Sequence, residues 1–306
     1  MEKDMDLLDR KRIGMVLRTF AGNEEDVPVR VKMTRETVGA AKAMQIGQKP
    51  VFSRIDVMVW ADARYGKRTD FSAALPEEER RERGTAAALR RELQDEKVVR
   101  VHEVSRGDLY CGVLNYAVAK QLRNRVDYTL ILSPDARSYL TPEAMALMLE
   151  ALERGARATG VAINELTQSV LEGRLANTLC LWDAVALMSV GGFDLRAEMP
   201  VDDRLAHYMR GWSQVKGEVY YALAGVEEVI PLARLVQVYG PCIAPILPTS
   251  EGQGYQVPDP ATQPELWTRH VSKMGTKFER QSALLAAIGA DMSFLRGGVM
   301  SQYRKF

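Results

Sequence analysis

The sequence predicts an α/β fold in which a mixed, mostly parallel sheet is flanked by helices. Short strand-like runs alternate with helix-like runs along most of the chain, the pattern of strands joined by crossover helices. The 306 residues are 46% hydrophobic, enough for one large α/β domain or two small ones with a well-formed core. The runs are also separated by legible stops, among them a Thr-Pro-Glu helix start at Thr141 and a Gly-Gly turn at Gly191 and Gly192. There is no internal repeat.

In chain order, strands are expected over 13–19, 55–60, 98–104 and 128–132, with helical stretches between them that include 85–95 and 112–123. Thr141 then supplies an N-cap, Pro142 the first helical position and Glu143 a carboxylate in the first turn. The apolar spacing of Met145, Leu149 and Leu152 carries that helix to about residue 157. Residues 158–163 read as a further strand and 179–188 as an apolar run before the Gly-Gly turn, while 218–224 and 232–238 look like strands again. The stretch 248–264 is rich in Pro, Gly, Gln, Ser and Thr and is expected to be a long surface loop. The remainder is helical, with an apolar face over 277–295 that packs on the core or on a second copy, as in a homo-oligomer.

Composition removes several function classes. Lys and Arg number 41 against 40 Asp and Glu, a formal charge of +1, so there is no electrostatic case for a nucleic-acid partner and any anion site must be local. Cys111, Cys180 and Cys242 are odd in number, far apart and set among apolar residues, which fits buried thiols in a reducing compartment rather than a disulfide framework. Residues 1–12 are charged throughout and lack the apolar centre of a signal peptide, and the apolar stretch 179–193 contains Asp183 and is too short to span a bilayer. A cytoplasmic protein without a transmembrane segment is therefore expected.

The chemistry-bearing residues fall in a fixed order. The run from Asp127 through Tyr128, Ser133 and Pro134 to Asp135 ends a strand on an acidic residue, the capped helix follows, and then come Gly191-Gly-Phe-Asp194 and the acidic pair Asp202 and Asp203. Taken together over roughly 12–215, this order resembles the GT-A glycosyltransferases, especially the family 2 type; each piece alone is a weak signal.

The resemblance implies a GT-A domain over 1–247, the surface loop over 248–264, and a C-terminal helical extension over 265–306 packed on the same domain. It implies transfer of a sugar from a nucleotide-diphospho-sugar donor to a carbohydrate, lipid-linked or protein acceptor by inverting single displacement. In that family an Asp-x-Asp motif holds a divalent cation, Mn²⁺ or Mg²⁺, against the donor's two phosphates. The matching positions here are Ser133, Pro134 and Asp135, so the first carboxylate is missing. Mg²⁺ often takes only one or two protein ligands, so Asp135 can still serve with help. His270 is implied as a second metal ligand. Lys273 and Lys277 would share a face with it on one continuous helix, and could carry part of the cation's charge instead.

For catalysis the resemblance places the general base at Asp202, with Asp203 beside it. Gly191 and Gly192 let backbone approach the sugar. Arg18, Thr19 and Asp62 would contact base and ribose at strand ends, with Arg106 and Asn115 completing the donor pocket. Structural roles explain the same residues differently. Asp135 can be a turn initiator, Asp202 and Asp203 helix caps, and the His270 face a solvated helix surface. A catalytically degenerate homologue, binding a nucleotide sugar or a partner protein without turnover, is the alternative function, and the missing carboxylate favours it. A nucleotidyltransferase is disfavoured, because no glycine-rich phosphate loop with a lysine follows the first strand.

Overall fold

A computed structural model of the chain describes residues 10–60, 75–104, 110–162, 167–197, 226–247, 259–275 and 277–303. The first strand, β1 (Ile13–Thr19), leads into helix α1 (Val27–Ala43), which has Pro28 in its first turn. Val31, Thr34, Val38 and Ala41 are buried at the three- and four-residue spacing of one helix face, and the Thr34 hydroxyl is satisfied by donating to Arg30 O at 2.8 Å. A two-residue pair, β2 (Gln45–Ile46) and β3 (Lys49–Pro50), forms a small hairpin. Strand β4 (Phe52–Trp60) follows, three residues longer at its start than the sequence suggests. Helices α2 (Glu77–Arg83) and α3 (Thr85–Glu92) precede β5 (Val99–Val104), and α4 (Tyr110–Arg123) precedes β6 (Tyr128–Leu132).

Thr141 caps α5 (Pro142–Glu153) as expected, its hydroxyl accepting from Ala144 N at 3.1 Å. The helix ends at Glu153 rather than near residue 157. Beyond it lie β7 (Ala158–Val161), α6 (Thr167–Leu171), β8 (Leu179–Asp183) and α7 (Ala184–Ser189). The apolar run 179–188 is thus split between a strand and a helix, because Asp183 Oδ1 accepts from Ala186 N at 2.9 Å and caps α7. Helix α8 (Val229–Tyr239), strand β9 (Ile243–Ile246) and helices α9 (Pro264–Gly275), α10 (Lys277–Ala286) and α11 (Met292–Gly297) complete the described chain.

Two expectations are corrected. Residues 232–238 form part of helix α8, not a strand: Val229, Leu232, Ala233 and Val236 are buried at helical spacing, and Pro231 sits in the first turn, where its missing N–H costs nothing. The C-terminal region is not one helix over 277–295 but α10 and α11, separated where Asp291 caps the second by accepting from Phe294 N at 2.8 Å. The strand expected over 218–224 lies outside the described residues, as does most of the loop expected over 248–264.

The seven-stranded sheet has the order β5-β4-β1-β6-β8-β7-β9. Its paired neighbours are parallel except where β8 meets β6 and β7, so β8 alone runs against the rest. Both faces are covered, and alternate residues of one strand enter different cores. Ile13, Met15 and Leu17 of β1 pack with α1, α3 and α5, whereas Val16 packs with α4, α7, α8 and α10. Each such fully buried aliphatic side chain contributes about 1.5–3 kcal/mol.

The three cysteines are buried and free. Burial raises the thiol of Cys180 well above its ordinary value and that of Cys242 to about 12. The chain after α11 lies along β9: Gly298 O accepts from Ile243 N at 3.0 Å, and Met300 N donates back to Ile243 O at 3.0 Å. Among the described residues no helix is long and apolar enough to cross a membrane.

Candidate functional site

The sheet order reverses beside β1. From β1 the chain moves outward through β4 to β5, with α1 and α3 on one face, and α4 then returns it on the opposite face to β6, on the other side of β1. Such a reversal leaves a crevice outside the carboxyl ends of the two strands that flank it, here β1 and β6, paired up to Leu17 and Leu132.

The residues at that crevice are those read from the sequence. Arg18 and Thr19 close β1, with Thr19 buried. Strand β6 runs into Ser133, whose backbone N–H donates to Thr178 O at 2.9 Å, and a 3-10 turn over Pro134–Tyr139 is pinned by buried Pro134, Ala136 and Tyr139. This anchoring leaves the Asp135 carboxylate at the surface. Ser133 Oγ donates to Asp135 Oδ2 at 3.1 Å, and Arg30 Nη1, from the first turns of α1, lies 3.8 Å from Asp135 Oδ1. The Arg30 and Asp135 side chains are 37% and 43% exposed, so water screens this pair.

Gly191 and Gly192 form a turn at φ +94° and +65°, a region glycine enters without strain. Asn115, on α4, holds it from one side: Nδ2 donates to Phe193 O at 2.8 Å, and Oδ1 accepts from Phe193 N at 2.7 Å. A Cβ on Gly192 would overlap that Oδ1. Arg234 of α8 holds the turn from the other side, with Nη2 2.7 Å from Asp194 Oδ2 and Nη1 donating to Val190 O at 3.3 Å. Both ends of the Asn115 amide are thus engaged by the turn that leads toward the acidic pair.

The C-terminal residues are arranged differently from the single basic face expected. His270 lies on α9 with its ring stacked on Trp267 at 6.2 Å, and Lys277 opens α10 beyond residue 276, which lies outside the described residues. Lys277 is buried. Desolvation lowers its pKa, and the nearby carboxylates of Glu228 and Glu227 act in the opposite direction. Arg280 is fully buried in the same cluster; burial brings its pKa down to about 10, again against the pull of Glu227 and Glu228. Arg174 joins it through Gln281, donating from Nη1 to Oε1 at 3.0 Å. This cluster binds the C-terminal helices to the start of α8.

Asp62, Arg106, Asp202 and Asp203, and the side chain of Lys273, lie outside the described residues. As a cation site the described residues fit poorly. They offer one carboxylate, Asp135, a hydroxyl where a second would stand, and an arginine against the carboxylate; no three His, Cys, Asp or Glu side chains among them converge. Sequence reasoning missed Arg30, Arg234 and the cluster of Arg174, Glu227, Glu228 and Arg280. The contacts of Arg30 with Asp135, Arg234 with Asp194 and Arg174 with Gln281 each cross a long stretch of chain, so no local spacing marks them.

No protein-family model matches the sequence, and no curated protein matches it. Among solved structures the chain is similar to a mannosyltransferase from Pyrobaculum calidifontis in complex with GDP-Man and Mn²⁺, at 14% identity over 92% of this chain and 75% of that one, with a TM-score of 0.41. A likeness of that size bears on neither substrate nor site.

Proposed function

We propose that the chain is a glycosyltransferase that seats a nucleotide-diphospho-sugar at the carboxyl ends of β1 and β6 and passes the sugar to an acceptor hydroxyl. One observation carries this reading. The reversal in strand order sets Thr19 and the Ser133–Asp135 turn side by side at a crevice. Those are the positions that the family-2-like residue order assigns to the donor.

In this reading Arg18, Thr19 and Asp62 bind base and ribose, Arg106 pairs with phosphate, and Ser133 and Asp135 face the diphosphate. Asn115, Gly191 and Gly192 shape the floor beside the sugar. The acceptor oxygen attacks the anomeric carbon from the side opposite the diphosphate. The new bond forms as the bond to the phosphate oxygen breaks, which inverts the centre and releases a nucleoside diphosphate. Asp202 takes the acceptor's proton, with Asp203 beside it, and the domain assignment of 1–247 with a helical extension follows from the same reading.

Asp202→Asn is expected to lower turnover about 10²- to 10⁴-fold, the size of a lost general base, while donor binding stays within a few-fold. Release of nucleoside diphosphate and calorimetric donor binding, measured side by side, check both halves. Unchanged turnover in the variant would remove Asp202 as base. Donor binding by the native chain with no transfer to any acceptor would favour the binding-module reading, which Ser133 in place of a carboxylate already supports.

A further inference from the structure

Resting on the donor-site reading, we infer that Arg30 is the group that meets the donor's diphosphate, and that this site binds a nucleoside diphosphate without a divalent cation. Three observations lead there. Ser133 stands where a second carboxylate would be needed, so the turn after β6 offers a cation one charged ligand. That ligand, Asp135, is not waiting for a metal: Ser133 Oγ is bonded to one of its oxygens, and the Arg30 guanidinium stands 3.8 Å from the other. Arg30 also comes from α1, which follows β1, while Asp135 follows β6, so the pair spans the crevice between the two strand ends.

A cation entering here would meet a guanidinium of its own sign. A diphosphate would meet a planar donor built for bidentate contact with its oxygens. The exposed Arg30–Asp135 pair is weak and easily exchanged, so in the free protein Asp135 holds the guanidinium at the crevice and releases it when phosphate arrives. Of the lysines that the sequence offered for this role, Lys273 has its side chain outside the described residues, and Lys277 does not compete. Lys277 is buried among carboxylates on the C-terminal helices.

The test is calorimetric titration of the full chain with the uridine, guanosine, adenosine and cytidine diphosphates, in chelator and again in Mn²⁺. At least one is expected to bind in chelator with a Kd within about threefold of its Kd in Mn²⁺, a difference below 1 kcal/mol. Arg30→Ala is expected to weaken that binding by about tenfold or more in chelator, as a lost charge-assisted bond does, and Arg30→Lys to recover part of it. Asp135→Asn, which frees the guanidinium, is expected to tighten it. Because Arg30 is a surface residue, its variants should keep the native urea midpoint, which separates lost binding from lost fold. Binding that appears only with Mn²⁺, or binding in chelator that Arg30→Ala leaves unchanged, would overturn the role of Arg30 and leave the donor site standing. If no nucleotide binds in either condition, the donor-site reading itself fails.

Discussion

Gly192 shows how one residue can be legible in type and hidden in purpose. The Gly-Gly pair announces a turn, but the reason alanine cannot stand there is Asn115, far back along the chain, whose amide fills the space. Gly192→Ala therefore carries about 1–3 kcal/mol of backbone strain at positive φ and displaces a hydrogen bond worth about 1 kcal/mol. Urea unfolding should show a lower midpoint at an unchanged slope, since the exposed surface does not change. An unmoved midpoint would mean that Asn115 does not hold the turn. The same distance explains why the clamp that Asn115 makes on the turn did not read from sequence, and why Arg30 did not read at all. Ion pairs and amide clamps leave no periodicity in the chain.

At the scale of elements, local chemistry was enough wherever a cap or a short apolar run acted alone. Strands β1 and β6 occupy the residues expected, and Thr141 caps α5. Thr141→Ala should lower stability by about 1 kcal/mol through the lost cap, read as a shift in thermal midpoint, whereas Thr141→Ser should keep most of it. Equal losses in both variants would assign the effect to packing of the threonine methyl. Elements failed to read where composition and spacing pointed apart. Helix α8 has the Val, Ile and Leu content of a strand and is buried at seven of its first eight positions, so no helical period marks it, and packing in one core with α10 and α11 holds it. Helix α1 has so few apolar residues on its narrow face that no amphipathic signal stood out, and the sheet decides its place.

At the scale of the whole molecule, one buried charge on β4 joins neighbouring elements. Asp56 is fully buried. Desolvation opposes its ionisation, but hydrogen bonds from His102 at 2.6 Å and from Arg54 at 2.6 and 2.8 Å hold its carboxyl below the ordinary 3.8. Gln121 Nε2 adds a contact at 3.2 Å, so one carboxylate ties β4, β5 and α4 together. A carboxyl depressed on folding contributes stability above its unfolded pKa, and that contribution is lost as pH falls through the folded value. Native stability should therefore decline below about pH 3.8. Asp56→Asn should be less stable by about 2–4 kcal/mol at pH 7 and show a flatter acid limb. Urea melts across that range decide it, and parallel declines in both proteins would remove Asp56 as the acid-sensitive group.

The segment after α11 has a consequence for how copies of this chain meet. Among the described residues β9 is the last strand of the sheet, and it would otherwise offer a row of open backbone groups to a neighbouring molecule, the usual seed of edge-to-edge aggregation. Residues 298–300 occupy that row at Ile243, and Pro245 has no N–H to offer further along. The edge is blunted twice over, and any homo-oligomer that uses this side of the molecule is joined through helices rather than by a sheet continued from one copy into the next.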